Sequence, residues 1–268
     1  MAMPIDLILV RHGQSEGNAA HAKSRRGDDS DFSGDFLNRH GSRWRLTDKG
    51  REQAKMASEW IRNNIGEKFF RYYVSEYNRA VETAALLNLP EAQWFVDFYL
   101  RERDWGLMET ATDHNLKTRF AEDLRRRKID SFYWTPPGGE SLAQLCRRLD
   151  RVIGTLHREC ADKKVIMVCH GEVMWAMRVR LERMTQDRFQ ELDSSKDPFD
   201  KIHNCQILHY SRINPETDEI SPYLDWLKSV CPTDTTLSKN EWEKIERKRF
   251  TNEELLDIVN QYPQIVTD

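Results

Sequence analysis

The chain alternates short apolar runs with longer amphipathic stretches, and two of the runs end in the same way. Ile5-Asp6-Leu7-Ile8-Leu9-Val10 leads into Arg11-His12-Gly13, and Val165-Ile166-Met167-Val168-Cys169 leads into His170-Gly171. Runs of this length, rich in Val and Ile and closed by glycine, read as buried parallel strands. Arg71-Tyr72-Tyr73-Val74-Ser75 and Trp94-Phe95-Val96-Asp97-Phe98 are further strand candidates. Between the strands, apolar residues recur at helical spacing. Ala54, Ala57, Trp60 and Ile61 mark a helix from Thr47 or Asp48 to about Asn63. Others are expected from Asn78 to Leu87, over 113–127, from Glu140 to Cys160 and over 172–184.

This alternation predicts an α/β fold: a doubly wound, mostly parallel sheet flanked by helices on both faces. Residues 19–46 are poor in aliphatics and dense in charge and glycine, which reads as a long irregular insertion after the first strand. Cys205 to Ser211 and Ser221 to Trp226 flank the turn-rich Asn214-Pro215-Glu216-Thr217-Asp218-Glu219 and predict a hairpin. After Cys231-Pro232 the composition turns polar, with two short amphipathic helix candidates. The expected division is a catalytic domain over 1–230, with the insertion at 19–46 and a partial lid at 103–137, followed by a C-terminal helical appendage over 231–268.

Composition narrows the field of partners. A formal net charge of −3 over 268 residues gives no global basic field for nucleic acid, so any anion recognition must be local. The five cysteines are scattered without a CxxC pair, which fits a reducing compartment. The first apolar run carries Asp6 and lacks a basic lead-in, unlike a signal peptide. Nothing approaches the ~18 apolar residues of a membrane helix. The expectation is a soluble, cytoplasmic protein with no nucleic-acid or membrane partner; the tail could cap a site, cover a sheet edge or support a homodimer.

In open α/β sheets ligands bind beyond the carboxyl ends of the strands, so His12 and His170 are expected at one rim. Arg11 adds a planar fork that matches phosphate oxygens; the alternative is a strand-capping histidine beside an ion-paired arginine. Arg79 falls near the first turn of the helix after the second strand, a ready anion site unless it pairs with Glu76 or Glu82. Glu102 follows the third strand, where partial burial would equip a carboxyl to protonate a leaving oxygen; the alternative is a solvated loop. No HxH, HxxxH or HExxH spacing surrounds either histidine, so no metal is expected. Asp29-Ser30-Asp31 opens like a calcium loop, but the twelfth position is His40 rather than glutamate, and calcium is rejected. Arg25, Arg26, Arg39, Arg43 and Arg45 could reach a second anionic group, or could simply be offset by Asp28, Asp29, Asp31 and Asp35. His21, His40, His114, His157, His203 and His209 lie outside these motifs.

Taken together the segments resemble the histidine phosphatase superfamily, also called phosphoglycerate mutase-like, over roughly residues 5–210. The resemblance rests on Leu9-Val10-Arg11-His12-Gly13 with Ser15 and Asn18, on Leu46-Thr47 with Gly50 and Gln53, and on Ser75 with Arg79-Ala80 and Thr83. Glu102, Gly139-Glu140-Ser141 and Val168-Cys169-His170-Gly171 complete it. It implies His12 as nucleophile, Arg11, Arg79 and His170 as a clamp on phosphoryl oxygens, Asn18 lining the pocket, and Glu102 as general acid and then base. Thr110 stands where many relatives have glycine. The implied activity is metal-independent hydrolysis of a phosphate monoester through phospho-His12, with no cofactor and a small phosphorylated metabolite as substrate. The alternatives are a phosphoglycerate mutase, which Gly106-Leu107-Met108-Glu109-Thr110 and the 132–141 stretch disfavour, and an inactive phosphate-binding module.

Overall fold

The computed structural model describes residues 2–266. In chain order the elements are β1 (Asp6–Arg11), α1 (Glu16–Ser24), α2 (Gly34–Asn38), α3 (Asp48–Asn64), β2 (Arg71–Ser75), α4 (Asn78–Leu86), β3 (Trp94–Asp97), α5 (Asp113–Thr118), α6 (Ala121–Ile129) and α7 (Leu142–Glu159). There follow β4 (Lys164–Cys169), α8 (Gly171–Glu182), α9 (Gln186–Ser194), β5 (Ile207–Ser211), β6 (Trp226–Val230), β7 (Lys239–Lys244) and α10 (Asn252–Asn260). The strands form one sheet in the order β3-β2-β4-β1-β5-β6-β7. The first four are parallel, and β5, β6 and β7 continue antiparallel.

The period-two pleat of the central strands feeds two cores. Leu7, Leu9, Val165 and Met167 face one side, under Leu145, Leu149, Val152 and Leu156 of α7 and Val173 to Met177 of α8. Ile8, Val10, Ile166 and Val168 face the other, under Ala54, Ala57 and Ile61 of α3 and Ala80 and Ala84 of α4. Because β1 and β4 are buried on both faces, every residue in their middle must be apolar, and this is why the runs read as continuous. Each fully buried Leu or Ile there contributes about 1.5–3 kcal/mol.

Four boundaries depart from the sequence expectation. The first part of the 19–46 insertion is helical, not irregular, because Ser15 and Asn18 form a reciprocal capping box that starts α1 and carries it to Ser24. The helix expected over 113–127 breaks between α5 and α6, where Phe120 turns inward to join Met108, Ala111 and Trp134 in a small separate cluster. The second strand of the hairpin lies at Trp226–Val230 rather than 221–226, with only an isolated bridge, Ile213 to Ile220, in the turn region. The 231–268 segment, expected to be helical, places a strand in the sheet: β7 pairs with β6, and Trp242 packs edge-on to His209 at 4.8 Å. Its almost wholly polar Lys239–Lys244 run concealed an edge strand whose outer side needs no burial.

Candidate active site

β1 and β4 lie in parallel register, Arg11 beside Cys169. The next residue of each strand is therefore a histidine leaving the sheet at the same edge, with ring centroids 5.1 Å apart. β2, the other neighbour of β4, ends at Ser75 and leads into α4, which carries Arg79. The Arg79 Nε–H donates to His12 Nε2 at 3.1 Å, and its Nη1 to the Gly41 carbonyl at 2.7 Å. Its guanidinium also rests 4.8 Å above the Tyr77 ring, which in turn meets His170 edge-on at 5.1 Å. Arg11 donates from Nη1 to the Ile202 carbonyl at 2.5 Å. Arg11, His12, Arg79 and His170 are thus brought together, as expected.

Hydrogen bonding assigns the tautomer of His12. Its Nδ1 lies 2.7 Å from the Gly13 carbonyl, which can only accept, so Nδ1 carries the proton and Nε2 the lone pair. Burial, with Arg79 and Arg11 adding like charge, holds the imidazole well below its ordinary range, so the ring is neutral. Burial and the Arg79 charge do the same to His170. His170 Nε2 is 2.7 Å from Ser75 Oγ, while its Nδ1 is buried without a partner among the described residues. Arg11 Nε is likewise buried and unpartnered. Orphaned polar atoms of this kind are rare in folded chains and collect at functional sites.

Gly13 is needed for a reason its sequence context did not reveal. It makes a close backbone approach to α3, where a Cβ would lie 2.2 Å from the Gly50 carbonyl oxygen. The pairing is reciprocal, since a Cβ on Gly50 would meet the Gln14 carbonyl oxygen at 2.1 Å. Two glycines thereby let the 13–14 backbone lie directly against the start of α3.

Glu102 stands across from the guanidiniums. Part of its surface is open, but protein atoms crowd the carboxyl, and burial with Glu172 nearby raises it to about 6 against the pull of Arg79 and Arg11. Its Oε1 accepts the Arg103 backbone N–H at 2.9 Å. Two ion pairs fix this loop. Arg103 donates to Glu172 at 3.0 Å and to the carbonyls of Glu140 and Trp134. Arg148 pairs with Glu140 at 2.9 Å and donates to the carbonyls of Arg101 and Glu102.

Asn18 is half-buried at the start of α1. Its Oδ1 caps α1 and accepts from Asn204 Nδ2 at 3.2 Å, and Asn204 also donates to the His12 carbonyl at 3.1 Å. Sequence reasoning missed Asn204, Tyr77, Arg103 and Arg148. Glu172 had a visible signal, its place directly after His170-Gly171, whereas Asn204 had none. Of the insertion arginines, Arg45 pairs with Glu82 at 3.0 Å and Arg39 lies 3.7 Å from Glu16, while Arg25, Arg26 and Arg43 are exposed. Among the described residues no three His, Cys, Asp or Glu side chains gather into a metal-holding group, and no helix is long and apolar enough to cross a membrane.

The arrangement offers a neutral imidazole lone pair, two guanidiniums and a second imidazole around one point, with a protonatable carboxyl opposite. Comparison with known proteins bears on it directly. A family model described as histidine phosphatase superfamily (branch 1) matches residues 7–199. A 6-phosphofructo-2-kinase/fructose-2,6-bisphosphatase of Gallus gallus is 31% identical over 171 residues, 64% of this chain and 31% of that protein. A form from Rattus norvegicus is 31% identical over 227 residues, 80% of this chain and 42% of that one. The chain thus spans about a third to two fifths of the length of these relatives. Among solved structures, a mycobacterial glucosyl-3-phosphoglycerate phosphatase superposes with a TM-score of 0.60 at 22% identity, covering 77% of this chain and 92% of that one. The alpha-ribazole phosphatase from Shigella flexneri gives 0.59 at 20% identity, covering 82% and 96%. At these identities the structures speak for the fold.

Proposed function

Since the chain belongs to the histidine phosphatase superfamily, branch 1, we propose that it hydrolyses a phosphate monoester through a phosphohistidine on His12, without a metal. The observation that carries this reading is the tautomer and setting of His12: Nδ1–H tied to the Gly13 carbonyl and a neutral Nε2 beside Arg79. An imidazole must attack as the neutral base. Arg11 and Arg79 supply fixed cations for the equatorial oxygens of the phosphoryl group, the charge that dominates such transition states. The orphaned Arg11 Nε and His170 Nδ1 fit donors to those oxygens.

In the first step the Nε2 lone pair forms a bond to phosphorus as the ester P–O bond breaks. The leaving oxygen takes the Glu102 proton and departs as the alcohol. The Arg79 Nε–H, which donates to Nε2 in the resting site, turns its hydrogen bond to a phosphoryl oxygen and keeps its proton. In the second step water attacks phosphorus and gives a proton to the Glu102 carboxylate. The P–N bond breaks, its electron pair returns to Nε2, and phosphate leaves. A carboxyl at about 6 serves both directions near neutral pH.

The substrate is a small phosphorylated metabolite. Relatives carry phosphatase names on esters as different as a fructose bisphosphate and alpha-ribazole phosphate, so membership of the family does not choose among them. Five buried, unpaired cysteines support a reducing, cytoplasmic setting. The test is release of 4-nitrophenol from 4-nitrophenyl phosphate with and without EDTA. Equal turnover in both is expected; loss with EDTA, restored by a divalent metal, would overturn the metal-free reading.

A further inference from the structure

Glu109 follows the short 3-10 turn Gly106–Met108 and is held by its backbone. Its N–H donates to the Gly106 carbonyl at 3.1 Å, and its carbonyl accepts from His21 Nε2 at 3.0 Å. The half-buried carboxylate lies against Gly41, where a Cβ would fall 2.2 Å from Glu109 Oε1. Gly41 is also the residue whose carbonyl anchors Arg79. A glycine at 41 therefore makes room for a carboxylate over the peptide that positions the phosphate clamp.

Among the described residues no donor hydrogen-bonds this carboxylate. Its charged surroundings are Arg79, His40 and Asp104. The Tyr77 hydroxyl senses Glu109, Glu102 and Asp104 together, which with burial push it up to about 12. Glu109 and Glu102 thus both lie near the Tyr77 hydroxyl, beside the Arg79 guanidinium that rests on the Tyr77 ring. Arg79, already engaged with His12 and the Gly41 carbonyl, is the main cation beside Glu109 and offsets it in part, while Arg103 is spent on Glu172 and two carbonyls, and Arg45 on Glu82.

We propose that Glu109 sets substrate preference, accepting hydrogen bonds from a hydroxyl-rich leaving alcohol and turning away substrates that carry a second phosphate. The inference rests on the phosphatase reading above. An ionised carboxylate can only accept, so sugar hydroxyls satisfy it, whereas a second phosphate brings like charge against it.

The experiment compares the full chain with Glu109→Gln and Arg43→Ala on three esters: 4-nitrophenyl phosphate, glucose 6-phosphate and fructose 1,6-bisphosphate. The wild type should favour the monophosphate sugar over the bisphosphate in kcat/KM. Glu109→Gln keeps the shape and removes the charge. It should shift the ratio toward the bisphosphate by about tenfold or more, while 4-nitrophenyl phosphate changes least. A parallel loss on all three esters would mean that Glu109 acts only through Gly41 and Arg79, and would overturn the proposal. So would an unchanged ratio, or a wild-type preference for the bisphosphate that Arg43→Ala removes. If the wild type fails to turn over 4-nitrophenyl phosphate, the phosphatase reading falls. Calorimetric affinities of the two sugar phosphates for both proteins then decide the selectivity by the same ratio.

Discussion

Replacing Glu172 by glutamine should move the alkaline limb of the pH–rate profile to lower pH. Glu172 occupies the first turn of α8, pairs with Arg103 at 3.0 Å, and after burial is the main influence raising the Glu102 carboxyl from 4.5 to about 6. That rise corresponds to about 2 kcal/mol between the two protonation states. The sign is clear: a negative neighbour makes ionisation of Glu102 harder, so removing it lets the proton leave at lower pH. Burial remains in the variant, so the limb should stop short of 4.5. With a limb at about 6, about 10% of the enzyme holds the proton at pH 7; a fall of about one unit leaves about 1%. Near pH 5 the same change costs only about twofold. The assay is kcat/KM for an alkyl phosphate from pH 4.5 to 8. A loss at pH 7 of about tenfold, bounded at about thirtyfold by the 4.5 floor and shrinking toward pH 5, is the expected signature. A loss of equal size at both ends would show that Glu172 merely braces the loop through Arg103, and would refute the electrostatic reasoning.

Two further substitutions probe chemistry and scaffold separately. Glu102→Gln should slow alkyl phosphates far more than aryl phosphates, because poorer leaving groups need the proton more; equal losses in kcat would remove Glu102 from that role. Gly13→Ala should destabilise the fold by about 1–3 kcal/mol, since the new Cβ meets the Gly50 backbone, which cannot yield as a side chain would. An unchanged thermal midpoint would show that β1 and α3 are not locked together there.

Much of the centre of the fold was legible because β1 and β4 are buried on both faces. Burial of that kind leaves a continuous Val, Ile and Leu run, and a single residue of register then decides where His12 and His170 emerge. Thr47 was equally readable, as the N-cap of α3, whereas the helix expected from Glu140 begins only at Leu142, capped by Ser141. What stayed hidden depends on contacts distant in sequence. Asn204 reaches His12 across 192 positions, and Arg148 reaches Arg101 across 47. Neither leaves a periodic trace. β7 was hidden differently: an edge strand with one open side carries Lys, Asn and Glu as freely as a loop does. The break between α5 and α6 turns on one residue, Phe120, whose burial in a local cluster outweighs helical propensity.

The most direct trial of the account is the covalent state of His12. The full chain is mixed with a 32P-labelled phosphate monoester, quenched in alkali within one turnover, and its peptides are mapped. The label should be acid-labile and alkali-stable, reside on His12, and vanish in His12→Ala. A stable label on any other residue, or turnover by His12→Ala at the wild-type rate, would contradict it.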